Sequence, residues 1–296
     1  VLETLKIPAE REEKSGSVMR IKVRGLRGGH SGSQIHEQRG NANKIMGRIL
    51  NHLDQGTEIA LVSVSGGSQD NVIAGTAEAV IAVADPKKAQ EIVSDMEATL
   101  KAEFSSDEPD LQVPVTVTEE TVQALTKEVT KKVIFAMVCT PYGVQGLSRD
   151  LPGVVETSLN LGIVETTKDT VKLESLVRSS MESKKADMKE ILDTCAQVVG
   201  ASGKVQGGYP AWEYKVDSEL RKVMVETFVE QYGKEPVVST IHAGLECGLF
   251  LGKKPDLDCV SMGPDLLDIH SFNEKMDIAS TQRTWEYLKG ILAKLK

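Results

Sequence analysis

The five histidines of this chain are the side chains best suited to ligate a metal or carry a proton near neutral pH. They are not equivalent. His52, in NHLDQ, has with Asp54 the H-x-D spacing of a metal-ligand pair, but it falls at the polar end of an amphipathic helical pattern and reads as a solvated helix end. His36 lies in a polar loop and reads likewise. His30 stands in GLRGGHSGSQ, where small neighbours admit a ligand to the backbone and leave the imidazole free to donate to an oxyanion. His270, in GPDLLDIHSFNEK, follows the apolar run DCVSMG; sites collect at the C-terminal ends of α/β strands, which makes it a candidate metal ligand. Each of the last two also fits a hydrogen-bonded loop histidine, and spacing alone does not separate the readings. The pairs Glu12–Glu13 and Glu119–Glu120 have the residue types of a general base, yet both fall in charged stretches read as solvated linkers.

The elements that would position these residues follow from periodicity. VMRIKVRG alternates, with Met19, Ile21 and Val23 on one face, and so predicts a half-buried strand. NANKIMGRILNHL places Ile45, Met46, Ile49, Leu50 and Leu53 on one helical stripe. IALVSVSGG and NVIAGTAEAVIAV read as two strands joined through GGSQD. Asp85 followed by Pro86 starts a helix whose stripe is Ala89, Ile92, Val93, Met96, Leu100 and Phe104. LQVPVTVT then alternates, with Pro114 pointing to an edge strand. The order is β-α-β-β-α-β, and an α+β pattern recurs. LTKEVTKKVIFAMV is helical, VVETSLNLGIVET and TVKLESLVRSS are strands, KKADMKEILDTCAQVVG is helical and KVQGGYPAWEY is a final strand. From Asp217 the pattern changes to a helix, a turn containing IHAGLECGLF, a short buried strand DCVSMGP and a closing helix around Trp285, Leu288, Ile291 and Leu295. That tail is a piece of an α/β layer with too few strands to close its own core.

Composition narrows the function classes. The 35 basic against 43 acidic residues give a net charge of −8, which disfavours nucleic acid and polybasic membrane partners. A 40% hydrophobic and 26% charged chain is that of a folded protein. No apolar run approaches the roughly 20 residues needed to cross a bilayer. Cys139, Cys195, Cys247 and Cys259 are too scattered for a disulfide framework and fit core packing in a reducing, cytoplasmic setting. The opening at Val1 fits a fragment of a longer chain.

Four blocks taken in order, GLRGGHSGSQIHEQRGNANKIMGRIL, VRSS, IHAGLECGLF and VSMGPDLLDIHSFNEKMDI, resemble the corresponding blocks of the aminoacyl-histidine dipeptidases. These are cytosolic di-zinc exopeptidases of the superfamily that includes carnosinases, aminoacylases and glutamate carboxypeptidases. The resemblance implies an α/β and α+β chain. Residues 1–16 would be a linker from the catalytic part, 17–214 a lid domain of two ferredoxin-like (βαββαβ) halves, and 215–296 the C-terminal portion of the α/β zinc-exopeptidase catalytic domain. It implies His30 as the lid histidine that polarises the scissile carbonyl, Asn71 and Arg178 as substrate-holding residues, Gly244 as a site-lining glycine and His270 as a zinc ligand. An arginine fork suits a terminal carboxylate because it bonds both oxygens.

The family's strand-borne H-x-D segment, bridging aspartate, Glu-Glu general base and further aspartate ligand have no counterpart in suitable context here. One histidine does not hold two zincs, since a catalytic zinc takes about three protein ligands. The expectation is therefore a parent enzyme that hydrolyses Xaa-His dipeptides with two zincs, or with cobalt or manganese in their place. This chain would supply the lid and one ligand, would be inactive alone, and would depend on a missing N-terminal catalytic segment. A homodimer is compatible with that expectation. The alternative class is a non-catalytic small-molecule-binding or assembly module of two ferredoxin-like halves.

Overall fold

The structure, a computed structural model, describes residues 1–240, 245–267 and 273–295. The described residues form two compact units. One is Val1–Gly208; the other comprises Tyr209–Thr240 and the described residues after Gly244.

The first unit opens with strands β1 (Leu2–Pro8) and β2 (Arg11–Val23) and continues through a two-residue strand β3 (Gly29–His30) to helix α1 (Ala42–Gly56). Strands β4 (Ile59–Gly66), β5 (Val72–Ile73) and β6 (Ala77–Val83), helix α2 (Pro86–Glu103) and strand β7 (Val115–Leu125) follow. Then come α3 (Lys127–Cys139), β8 (Gly143–Leu147), β9 (Val155–Thr166), β10 (Thr170–Ser179), α4 (Glu182–Val199) and β11 (Ser202–Gln206). Local chemistry explains the helix starts: Asn41 caps α1 by accepting from the amides of Asn43 and Lys44, and Asp85 caps α2 by accepting from that of Lys88, with Pro86 in the first turn.

Nine strands make one sheet, in the order β11-β1-β10-β9-β4-β6-β2-β7 with β8 added on β9. The order splits into two ferredoxin-like halves. The first, β2-α1-β4-β6-α2-β7, is contiguous in sequence. The second, formed by α3, β9, β10, α4 and β11, takes its first strand from β1, at the far end of the chain, which pairs antiparallel with β10 and β11. The first half is thus inserted between the first strand and first helix of the second.

Residues 1–16, expected to be a linker, are therefore corrected to β1 and the outer part of β2. The expectation failed because alternation covers only Leu5, Lys6 and Ile7, and because the partners of β1 lie far along the chain. Glu12–Glu13 and Glu119–Glu120 likewise sit in paired strands, on the exposed outer stretch of the β2–β7 ladder. The final strand stops at Gln206, short of the expected Tyr214, because Gly207 and Gly208 take positive φ values of 62° and 137° that a strand does not use. As expected from Pro114, β7 is an edge strand.

The halves meet where β4 pairs with β9, and α1 packs beside α3 on the same seam. The helices come close at Gly47, where a Cβ would lie 2.8 Å from the Met137 Cβ. Lys44 binds the end of α3, its Nζ donating to the carbonyls of Met137, Val138 and Thr140 at 2.7, 2.7 and 2.5 Å. This is the favourable end of a helix for a cation. Burial holds the ammonium pKa down to about 8.

The second unit contains α5 (Glu219–Tyr232), α6 (Glu246–Lys253), a small hairpin of β12 (Leu266–Leu267) and β13 (Lys275–Met276), and α7 (Ile278–Lys294). Phe228 packs edge-on against Tyr287, whose hydroxyl donates to the Met224 carbonyl at 2.7 Å. Among its described residues only Met224 and Ile291 are buried hydrophobics, while Val237 and Ile278 are 94% and 83% exposed. Asp258–Pro264, expected to be a short buried strand, takes no place in a sheet, because no described strand of this unit offers it a ladder. No helix among the described residues is long and apolar enough to cross a membrane.

If β1 is an interior strand, Ile7→Ala, at a fully buried position, should destabilise the first unit by about 2–5 kcal/mol in urea unfolding. A loss below about 0.5 kcal/mol, as expected of a surface or linker residue, would contradict that placement.

Candidate functional site

The loop between β2 and α1 carries His30 and is tied down at both ends. The buried Glu108 carboxylate, 1% exposed, accepts from the Arg27 amide at 2.7 Å and from the Gly40 amide at 2.9 Å. Inside the loop Arg39 Nη1 donates to the Gly28 carbonyl at 2.6 Å, and the Tyr142 hydroxyl donates to the Arg39 carbonyl at 2.8 Å. Gly29 has a φ of 135°, and a Cβ there would lie 2.5 Å from Arg39 Nη1, so the turn requires glycine.

Within this frame β3 pairs with β5, setting His30 opposite Val72, and the Ser31 amide donates to the Asn71 carbonyl at 2.9 Å. His30 Nδ1 accepts from the amides of Gly32 and Ser33, each at 3.2 Å. A ring nitrogen that accepts two N–H groups carries no proton, so the neutral ring is assigned its hydrogen on Nε2. The loop thus fixes His30 as a donor through its outer nitrogen. Partial burial of the ring, and then the nearby Arg178 guanidinium, push its pKa below the usual histidine value.

Asn71 occupies the turn between β4 and β5. Its amide donates to Asp70 Oδ1 at 2.8 Å, and its side-chain amide has no partner among the described residues. Arg178 comes from the other half, on β10 opposite Ser158. Burial lowers its pKa, and the Asp70 carboxylate opposes that effect. The structure therefore ties the His30 loop to the Asn71 turn through the Ser31–Asn71 backbone bond and puts Arg178 in electrostatic range of His30. Gly244 and His270 lie outside the described residues.

The arrangement offers a neutral N–H donor, a planar cationic fork and a side-chain amide, which together suit a carbonyl oxygen and a carboxylate of one small ligand. The remaining sequence candidates stay apart from it. The Glu119 and Glu120 carboxylates accept from Ser17 Oγ at 2.6 Å and from Arg20 Nη2 at 3.1 Å respectively, on the exposed strands. Among the described residues no three His, Cys, Asp or Glu side chains cluster as a metal site would require.

Sequence reasoning missed Glu108, Asp70 and Asn160. Glu108 lies in a polar turn with nothing local to mark it. Asn160 interrupts the apolar run of β9 (LNLGIV), and a polar residue in such a run, buried at 1% exposure, is itself a signal.

The depressed His30 pKa has a definite sign. The folded ring binds its proton less readily than a free imidazole of pKa about 6.5, so the neutral donor persists below that pH and is lost as pH falls through the folded value. In that window the unfolded chain binds more protons and stability falls with acidity. NMR titration of His30 should give a midpoint below about 6.5, and Arg178→Gln should move it upward. A midpoint at or above the free value, or no response to the substitution, would contradict this geometry.

Comparison with known proteins agrees with the fold. Residues 21–108 match the family profile described as "Peptidase dimerisation domain". The chain is 34% identical to the cytosol non-specific dipeptidase of Escherichia coli (strain K12) over 278 residues, covering 93% of this chain and 57% of that protein. The solved structure of aminoacylhistidine dipeptidase from Vibrio alginolyticus matches with a TM-score of 0.93 and 32% identity, covering 99% of this chain and 61% of that one. The chain spans less than two thirds of the length of either. Over most of its own length it is thus a homologue of these dipeptidases, and its residues 21–108 form a peptidase dimerisation domain.

Proposed function

We propose that the intact protein hydrolyses dipeptides in the cytoplasm, Xaa-His peptides among them, and that this chain supplies the substrate-binding lid. The observation that carries the reading is the pair of amides that His30 Nδ1 accepts from, which assigns the ring as an Nε2–H donor, within electrostatic range of the Arg178 guanidinium. The two dipeptidase relatives support the reaction class.

In this reading His30 donates to the scissile carbonyl oxygen and stabilises the charge that grows on it as the tetrahedral intermediate forms. A neutral donor suits the role because it does not ion-pair with the substrate carboxylate. Arg178 grips that terminal carboxylate through two parallel hydrogen bonds and so selects free dipeptides over internal peptide bonds. Asn71 offers its amide to the substrate backbone. Zinc belongs to the proposal as the supplier of an activated water, and its ligands are assigned outside the described residues, His270 included.

The partners follow from the same reading. An N-terminal catalytic segment would cover the open second unit, whose exposed Val237, Phe250, Trp285 and Ile278 leave its core incomplete. The chain spans only 57% of its Escherichia coli relative, which leaves length for such a segment in a parent of similar size. The chain alone would then be inactive. The dimerisation profile supports a homodimer.

In the intact enzyme His30→Ala should lower kcat by about 10²- to 10³-fold, as for loss of an oxyanion donor. A kcat within about twofold of the parent would remove His30 from the reaction. Arg178→Lys should raise KM about 10- to 100-fold with kcat little changed, because a point charge replaces the fork. An unchanged KM would refute its carboxylate role.

A further inference from the structure

Three buried asparagines, Asn41, Asn43 and Asn160, lie on the seam between the halves, and the reaction just described gives them no part. Asn160 is the one that reaches the site. Its Nδ2 donates to the Asp70 carbonyl at 2.8 Å and to the Val72 carbonyl at 2.9 Å, the two carbonyls on either side of Asn71. Its Oδ1 accepts from Asn41 Nδ2 at 3.3 Å, and Asn41 Nδ2 also donates to the Leu161 carbonyl at 3.0 Å. The orientation of the amide is therefore determined, since two carbonyls demand the nitrogen and a donor faces the oxygen.

We propose that Asn160 is a positioning residue for Asn71, its amide gripping the backbone on both sides of that residue and so fixing where the Asn71 side chain meets substrate. The inference rests on the substrate-holding reading of Asn71. The surroundings are shaped for such a grip. Gly162, two residues further along β9, receives the same turn so closely that a Cβ would lie 2.6 Å from the Asp70 carbonyl oxygen and 2.8 Å from that of Gln69. The Asn71 carbonyl in turn accepts from the Ser31 amide, so a displaced turn is felt in the His30 loop. Asn160 and Arg178 lie on the adjacent strands β9 and β10, while Asn71 and His30 belong to the other half. Asn160 thus holds the residues of one half in register with the carboxylate-binding strand of the other. An aspartate in its place would set a carboxylate against two carbonyl oxygens, and an apolar residue would leave both carbonyls unpaired.

The test compares Asn160→Ala, Asn71→Ala and the double variant in the intact enzyme with an Xaa-His dipeptide, together with amide hydrogen exchange at Ser31 and Val72. Asn160→Ala should raise KM about as far as Asn71→Ala, roughly tenfold or more, with a smaller effect on kcat, and the double variant should be no worse than either single one. Exchange at Ser31 should quicken while the amides of α2 keep their protection. Asn160→Ser, which leaves room for a water to bridge the two carbonyls, should recover part of the KM and serves also if the alanine variant does not fold. A wild-type KM in Asn160→Ala, or effects of the two substitutions that multiply independently, would overturn the proposal. So would a lowered Tm with protection lost everywhere and KM unchanged, which marks a merely structural role. If Asn71→Ala itself leaves KM unchanged, the substrate-holding reading fails, and exchange at Ser31 and Val72 decides the positioning role alone.

Discussion

Backbone groups at a strand edge must be paired or hydrated, and the whole first unit depends on how this is met where β4 adjoins β9. Ladder pairing there covers only Ser65 with Glu165 and Gly66 with Val164. Side chains complete the rest. Thr166 Oγ1 accepts from the Val64 amide and donates to its carbonyl, Asn43 Nδ2 donates to the carbonyls of Leu161 and Gly162, and Thr130 of α3 accepts from the Leu61 amide. Arg11 spans the carbonyls of Val62, Gln123, Thr167 and Lys168. Each such bond contributes only about 0.5–1.5 kcal/mol net, but an unpaired buried group costs about 1–3 kcal/mol. The two halves of the sheet are thus joined as much by polar side chains as by a ladder.

The same seam produces the candidate site. His30 and Asn71 stand on one side of it and Arg178 on the other, so no half taken singly contains the constellation. The loop is held by fixed groups, with Glu108 at its base and Arg39 and Gln34 within, and this rigidity keeps Nδ1 turned inward and Nε2 outward. Placement on strands and clasped turns suits a donor whose use depends on being aimed before substrate arrives.

Much of this was legible in the sequence, and what was not shares one cause. Alternation in VMRIKV, the stripe of α1 and the Asp85–Pro86 start are local signals, and the elements they mark are present. His30 was marked by its glycine-rich surroundings, whereas Asn71 and Arg178 emerged only from the family resemblance. Strand β1 was not legible, because its identity as a strand is conferred by β10 and β11 rather than by its own seven residues. Glu108 and Asn160 were missed for the same reason, since their partners lie in other elements. The run DCVSMGP has the composition of a buried strand without, among the described residues, a sheet to enter, which shows that apolar alternation states a demand for partners and not their presence.

The nesting of one half inside the other also orders the events of synthesis. The first half is contiguous and has all its strands once β7 has left the ribosome, its β4–β6 pairing local and its β2–β6 and β2–β7 pairings of longer range. Strand β1 emerges before any of it, yet its neighbours β10 and β11 are among the last segments of the unit to appear. Throughout that interval Leu5 and Ile7 stay without their native cover, on a segment whose backbone is open to any passing strand. Lys6, exposed in the finished sheet, places a charge between those two apolar residues during the wait.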